Sequence, residues 1–130
     1  MRTLVVCGGL ALVVAGAAVA LQACDSKDCA DLKDAASALV DEAGACSRGD
    51  SCALVDMYEM AGGDNCLGAF QCSRPLNAST DLAAFRKRAR EIARAYDGCP
   101  ECVVADCIDP STVVARCDTA QRRCVVEEKP

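Results

Sequence analysis

Cysteine constrains the fold of this chain more than any other residue, because twelve of the 130 residues are cysteines. Ten of the twelve follow residue 28, a density typical of small exported domains in which disulfides supplement a small hydrophobic core. Each bridge typically stabilises a fold by ~2–4 kcal/mol, mainly by restricting the unfolded chain. We predict that the ten are disulfide-bonded: Cys29, Cys46, Cys52, Cys66, Cys72, Cys99, Cys102, Cys107, Cys117 and Cys124.

Large apolar side chains are scarce between residues 24 and 130. Leu, Ile, Val and Phe together number eighteen there, about 17% of this part and below the ~20% at which charged chains tend to stay disordered. The whole chain adds only two Tyr and no Trp. We therefore expect a domain that folds when oxidised and largely unfolds when reduced. Such a domain belongs in the periplasm or at a cell surface rather than in the cytosol.

The first residues have the pattern of a secretory signal peptide. Met1-Arg2-Thr3 is short and basic, and residues 4–19 contain no charged side chain. A helix of sixteen residues spans roughly 24 Å, less than the ~30 Å hydrocarbon core of a membrane. Residues 1–23 are therefore predicted to be a signal peptide, and an uncleaved N-terminal anchor is the alternative.

Two cleavage sites are compatible with this signal. Ala18-Val19-Ala20 fits the small-x-small pattern of signal peptidase, whereas Leu21-Gln22-Ala23 places an aliphatic, a variable and a small residue before Cys24. Cleavage before Leu21 would leave eleven cysteines, an odd number, whereas a Cys24 that forms no disulfide leaves ten to pair. The even number favours a Cys24 outside the disulfides, a tether over residues 24–28 and a single disulfide-rich domain over residues 29–130.

The segment LQAC at residues 21–24 resembles the lipobox of bacterial lipoproteins, in which the cysteine thiol receives a diacylglyceryl group and the cysteine becomes the new N-terminus. This resemblance implies a lipid anchor at Cys24, and the cysteine count agrees with it. The cysteine density and the ending VVARCDTAQRRCVV resemble the small cysteine-rich exported lipoproteins of gliding soil bacteria. These resemblances imply a location in the cell envelope, with acyl chains such as palmitate in the inner or the outer membrane. They imply no activity.

Hydrophobic periodicity predicts three helices. Residues 30–43, with Asp28 as N-cap, and residues 52–61, capped by Ser51 and ended by Gly62-Gly63, would form an antiparallel helical hairpin. The third helix, residues 81–96, is capped by Ser79 or Thr80 and closed by a left-handed Gly98. Its apolar stripe comprises Leu82, Phe85, Ala89, Ile92, Ala93 and Tyr96.

The rest of the chain is predicted to form loops and short strands. Residues 66–78 contain Gly, Pro and Asn and are predicted to be loop. Three β-branched runs, at residues 103–105, 113–115 and 125–126, predict two or three short strands of an antiparallel meander. The predicted fold class is α+β, a small disulfide-rich domain with a helical hairpin, a third helix and a short C-terminal β-meander.

The predicted helical hairpin suggests two disulfides. It would place Cys46 near Cys52 at its turn, and Cys29 near Cys66 at its open end, within the ~4.4–6.8 Å between Cα atoms that a disulfide requires. Ten cysteines nevertheless allow ~945 pairings, and the sequence alone cannot choose among them.

Enzymatic activity is not predicted. The chain has no histidine, which excludes Ser-His-Asp and Cys-His nucleophiles and removes the commonest general base. Asp106 and Asp109 could act as paired carboxylates, but they lie in a predicted surface loop, where acids are usually solvated, and no substrate cleft is evident. The sequence predicts no catalytic residue and no cofactor.

Cys99-Pro100-Glu101-Cys102 forms a C-x-x-C motif, which raises a redox and a metal interpretation. A thioredoxin-like site places its first cysteine at a helix N-terminus, whereas this motif follows a predicted helix. A zinc site built from Cys99, Cys102 and the later cysteines lacks paired C-x2-C knuckles. We therefore predict structural disulfides here and no metal site.

Four basic residues of the third helix form a possible partner face: Arg86, Lys87, Arg90 and Arg94. A solvated helix surface is the simplest explanation. The alternatives are docking on the acidic helical hairpin of the same chain, or on an external polyanion. The net charge of −5 argues against a nucleic-acid partner and against electrostatic docking on anionic lipid.

The sequence as a whole predicts a membrane-anchored envelope lipoprotein. We expect it to act as a non-enzymatic binding or assembly module with a protein partner in the envelope, for example as an accessory of a surface or motility complex. A structural envelope protein or adhesin is one alternative. A secreted inhibitor or toxin-like effector is the other.

Overall fold

The computed structural model describes residues 26–130, and within this range the chain forms three α-helices and two antiparallel sheets of two strands each. The predicted α+β class with five disulfides is confirmed. The predicted signal peptide and Cys24 lie outside the described residues. In chain order the elements are α1 (Ser26–Ala43), β1 (Cys52–Asp56), α2 (Met57–Ala61), β2 (Ser73–Asn77), α3 (Leu82–Tyr96), β3 (Val113–Asp118) and β4 (Arg123–Glu128).

The first helix begins earlier in the chain than the sequence pattern indicates. Helix α1 starts at Ser26, so Asp28 lies in its first turn rather than at its N-cap. An acidic residue in the first turn favours a helix start because it interacts with the positive end of the helix dipole. Residues 26–28, the last three of the predicted tether, are therefore helical.

The prediction of a helix over residues 52–61 is wrong in its first half. Residues 52–56 form β1, which pairs with β2 in the register Leu54↔Pro75, and only Met57–Ala61 is helical. A short apolar run is ambiguous between helix and strand, and the partner strand decides the outcome. The side chain of Asp56 then caps α2 by accepting from the Tyr58 amide at 3.0 Å.

The partner strand β2 lies in the segment that was predicted to be loop. Pro75 favoured the loop prediction, because proline cannot donate a ladder hydrogen bond and is usually confined to edge strands. The β1–β2 sheet has only two strands, so both are edge strands and β2 can accommodate Pro75. The glycine signal at the end of α2 was correct: Gly62 has φ +92°, a left-handed conformation that favours glycine.

The C-terminal meander, predicted to have two or three strands, has two. Strands β3 and β4 pair in a regular hairpin in which Cys117 lies opposite Cys124. Residues 103–105 belong to no strand. A β-branched run becomes a strand only if another strand is available to pair with it, and this one lies in a segment whose path is fixed by disulfides.

Helix α3 matches its prediction closely, apart from its caps. Asp81, rather than Ser79 or Thr80, is the N-cap, and its carboxylate accepts from the Ala83 and Ala84 amides, each at 3.1 Å. Gly98 does not have a positive φ, so it is not a left-handed cap. The buried stripe is Phe85, Ala89, Ile92, Ala93 and Tyr96, and Leu82 is exposed.

The main hydrophobic core lies between the three helices and the β1–β2 sheet. Its centre is filled by Phe70, Leu67 and Met57 together with residues of α3. Strand β1 contributes Val55, and strand β2 contributes Leu76. The β3–β4 hairpin contributes no residue to this core. Two disulfides, Cys46–Cys117 and Cys52–Cys124, attach the hairpin to the domain. Backbone hydrogen bonds support them: the Cys124 amide donates to the Gly44 carbonyl at 2.7 Å, and the Cys46 amide donates to the Arg122 carbonyl at 3.1 Å.

Helix α3 contains no cysteine, so its attachment is predicted to depend on packing. Phe85 is 4% exposed at the centre of the buried stripe. We expect Phe85→Ala to cost ~3–5 kcal/mol, because disulfides restrict the unfolded chain but cannot fill a cavity. Thermal unfolding should show a fall in Tm of roughly 10 °C or more with all five disulfides intact.

Arg88→Ala is the matched control for this experiment. The Arg88 side chain is 60% exposed and forms an ion pair with Glu91 at 3.6 Å, a surface pair that contributes little to stability. Its Tm should stay close to that of the unmodified protein. Equal, small changes in both variants would mean that α3 is not docked on the core.

Candidate functional site

The five disulfides share one pattern: each joins a cysteine that precedes α3 to a cysteine that follows it. The predicted pairs Cys46–Cys52 and Cys29–Cys66 are therefore wrong, because the helical hairpin that would bring them together is interrupted by β1. The observed pairs are Cys29–Cys99, Cys46–Cys117, Cys52–Cys124, Cys66–Cys102 and Cys72–Cys107.

The C-x-x-C motif is not a dithiol pair. Cys99 is bonded to Cys29 of α1, and Cys102 is bonded to Cys66. A redox-active C-x-x-C motif must cycle through a bond between its own two sulfurs. The two cysteines instead fix the chain at two points, as the structural interpretation predicts.

Three sulfur atoms lie close enough to suggest a metal site, those of Cys46, Cys52 and Cys124, which are all within 4.8 Å of one another. The chemistry of the three does not fit a metal. Metal ligation requires thiolates, and all three sulfurs are already bonded, in Cys46–Cys117 and Cys52–Cys124. The cluster is the place where two neighbouring disulfides attach the β3–β4 hairpin.

The other three disulfides converge on one segment, residues 99–109, here called the 99–109 loop. Cys99, Cys102 and Cys107 tie it to α1 and to the two ends of the segment 66–72. Residues 101–109 form no helix, strand or turn, and none of them has a positive φ. A segment without regular structure is thus fixed covalently at three points within nine residues.

The 99–109 loop exposes aliphatic side chains that the small core could have used. Val104 is 89% exposed, Ile108 64% and Val103 43%. These are three of only eighteen large aliphatic or Phe side chains between residues 24 and 130. Contiguous exposed apolar residues on a small protein often mark a contact surface.

One side chain holds the backbone on both sides of Val104. The Gln71 amide nitrogen donates to the Val103 carbonyl, and its amide oxygen accepts from the Ala105 amide at 2.6 Å. The same nitrogen also donates to the Asn65 carbonyl at 3.0 Å, which fixes the position of the Gln71 side chain. Gln71 therefore holds the peptide groups on both sides of Val104, and the Val104 side chain extends away from the domain.

The start of the 99–109 loop is also fixed. The buried Tyr96 hydroxyl donates to the Glu101 carbonyl at 3.0 Å, and Lys33 of α1 forms an ion pair with the Glu101 carboxylate. The hydrogen bond from Lys33, supported by its charge, lowers the pKa of Glu101 below its usual value. The Glu101 carboxylate thus stays ionised at neutral pH and keeps the pair intact.

The acidic residues of the loop have structural or solvated environments. The Asp109 carboxylate caps the 3₁₀ turn Pro110–Thr112 and accepts from the Ser111 amide at 2.8 Å. Hydrogen bonds from Ser111 lower the pKa of Asp109. Asp106 is exposed. A pair of carboxylates facing each other across a cleft is not formed by these two residues.

The four basic residues of the possible partner face are divided between two environments. Arg86 forms an ion pair with Glu59 of α2 at 3.7 Å, and the Arg90 side chain lies against Gly62 at the end of α2. Lys87 and Arg94 are exposed. Arg86 and Arg90 thus contact residues of the same chain. The role of the four residues as a partner face stays a prediction.

Comparison of the chain with protein-family models, curated proteins and solved structures finds no match in any of the three. Within residues 26–130, no helix is both long enough and apolar enough to cross a membrane. The five disulfides indicate a domain of the extracellular type, matured in an oxidising compartment. Its function has to be inferred from the residues of the site.

Sequence reasoning missed the residues that shape this site. Val104 was assigned to a strand, and Gln71 was one polar residue in a predicted loop. The only signal in the sequence was the spacing of Cys102 and Cys107, which enclose four residues including two consecutive valines. A short apolar stretch between two cysteines is a candidate for a constrained surface loop.

The disulfide pattern predicts the outcome of thiol counting and peptide mapping. Denatured, unreduced protein should show no free thiol among the ten cysteines from Cys29 to Cys124. Peptide mapping without reduction should link Cys99 to Cys29 and Cys102 to Cys66. Two reactive thiols at Cys99 and Cys102, or a bond between them, would instead support the redox interpretation.

Proposed function

We propose that this protein is an exported, non-enzymatic binding module that contacts a protein partner through the 99–109 loop. The observation that carries this proposal is the exposure of Val103, Val104 and Ile108 on a segment fixed by three disulfides. Burial of apolar surface is the dominant favourable contribution to most protein–protein association.

The rigidity of the loop supports a binding role. Ordering a flexible segment on binding costs ~0.5–1.5 kcal/mol for each immobilised side chain and more for the backbone. In the 99–109 loop most of this cost is met during folding and disulfide formation. Gln71 adds to the rigidity, because it fixes the peptide groups on both sides of Val104.

A lipid at Cys24 is the second part of the proposal. The LQAC segment and the even number of cysteines that remain after Cys24 is modified support it. Helix α1 begins at Ser26, two residues after Cys24, so the lipid would lie close to the folded domain. The binding module would then act at the surface of a membrane in the cell envelope.

The lipid anchor is tested by Cys24→Ala. We expect this variant to remain as a precursor or to leave the membrane fraction, because the thiol is the point of acylation. The intact mass of the unmodified protein should show a diacylated or triacylated cysteine at its N-terminus. Mature protein that begins at Leu21 would contradict the anchor and leave the binding proposal untouched.

The contact surface is tested by site-specific photo-crosslinking in the native envelope. A photo-reactive residue in place of Val104 should give one discrete product, and the added substitution Ile108→Asp should reduce its yield by at least about tenfold if apolar contact drives binding. Val114, a 40% exposed valine of β3, is the matched control position and should give no such product. Equal crosslinking from residues 104 and 114 would contradict a contact surface at the loop.

A further inference from the structure

The main-chain groups around Val104 are divided into two sets. The Val103 carbonyl and the Ala105 amide are both bonded to Gln71, and the Val103 amide donates to the Cys66 carbonyl at 3.2 Å. Within residues 26–130, the amide and the carbonyl of Val104 itself make no hydrogen bond. The domain thus binds the neighbours of Val104 and leaves the peptide groups of Val104 available.

A serine endopeptidase binds groups of the kind that this arrangement leaves available. Such an enzyme takes one side chain into a specificity pocket and binds the carbonyl oxygen of the same residue in its oxyanion hole. It also pairs with the main chain of the bound segment in the manner of an added strand. Val104 has an exposed side chain, and its carbonyl and amide bind no other group among residues 26–130.

We propose that the 99–109 loop is a substrate-like inhibitor of a serine endopeptidase, with Val104 in the specificity pocket and Val104–Ala105 as the bond presented to the catalytic serine. This inference rests on the proposed function and names its partner. Valine fits a small apolar pocket, as in elastase, and not a deep pocket with a carboxylate at its base, as in trypsin.

The disulfides explain how the loop can bind a protease without being consumed. Attack of the serine oxygen on the Val104 carbonyl carbon forms a C–O bond, and the bond from that carbon to the Ala105 nitrogen breaks. The serine proton passes through the histidine of the protease to the Ala105 nitrogen, which leaves as an amine. In an ordinary substrate this amine diffuses away, and water then hydrolyses the ester.

In this domain the amine cannot diffuse away. Cys102, two residues before Val104, is bonded to Cys66, and Cys107, three residues after it, is bonded to Cys72. The two partners flank the 3₁₀ turn Gly68–Phe70, whose Phe70 is fully buried, so both ends of a cut loop stay on one rigid support. The amine then attacks the ester at a high effective concentration, the proton returns to the serine, and the peptide bond is restored.

The test uses the purified, oxidised protein and pancreatic elastase as the probe, with trypsin as the second protease. We expect stoichiometric inhibition of elastase and none of trypsin. Val104→Lys should weaken the inhibition of elastase by roughly 100-fold or more and create inhibition of trypsin, because the pocket residue dominates such an interface. The Val114→Asp variant should behave like the unmodified protein.

Gln71→Ala tests the positioning role of that side chain. We expect its inhibition of elastase to weaken by about tenfold and cleavage between Val104 and Ala105 to accelerate, because the loop loses preorganisation. A merely structural role would lower Tm without changing the cleavage rate at a temperature where the variant is folded. Mass spectrometry of the unreduced and reduced protein detects the cut directly.

Two outcomes would overturn the inhibitor proposal. The first is rapid cleavage after Val104 without inhibition, which would make the loop a substrate. The second is no inhibition of elastase together with no gain of trypsin inhibition in Val104→Lys. If either occurs while the crosslink from position 104 is still formed, the binding module stands and the inhibitor proposal is wrong. If the crosslink also fails, both proposals are wrong.

Discussion

Each of the five disulfides connects the part of the chain before α3 to the part after it, and the rest of the structure depends on this constraint. The bridges close segments of 35 to 72 residues, the range in which a disulfide restricts the unfolded chain strongly. Helix α3 lies within every one of these closed segments, although it contains no cysteine itself. The chain on either side of α3 is therefore joined covalently, whereas α3 itself is held by the packing of its buried stripe.

This covalent constraint allows an unusual distribution of apolar residues. The core is small, with two phenylalanines, and the β3–β4 hairpin contributes nothing to it. A domain held together by burial alone would have difficulty leaving Val103, Val104 and Ile108 in solvent. Three disulfides hold the 99–109 loop in place without burying these side chains, so the loop can present them to a partner.

The sequence predicted the elements whose patterns are local and long. The stripe of α3 recurs over four turns, and it identified Phe85 as a core residue before any contact was known. The hydrophobic pattern gave the wrong structure for residues 52–56, because five residues fit a helix as well as a strand. The partner strand β2 decides between the two, and Pro75 in β2 favoured a loop prediction for that segment. The strand prediction for residues 103–105 was wrong for a different reason. Their β-branched side chains suit a strand, but no strand within residues 26–130 pairs with them.

The sequence by itself determined which ten cysteines pair and the oxidising compartment that this requires, because both follow from composition and parity. The pairing itself was decided only by the tertiary structure, since a disulfide forms between cysteines that folding brings within a few ångströms, and their distance along the chain carries no such information. The candidate site depends on the same kind of contact. Gln71 and Val104 are 33 residues apart, and the bridges Cys66–Cys102 and Cys72–Cys107 hold that amide beside the backbone to which it is hydrogen-bonded.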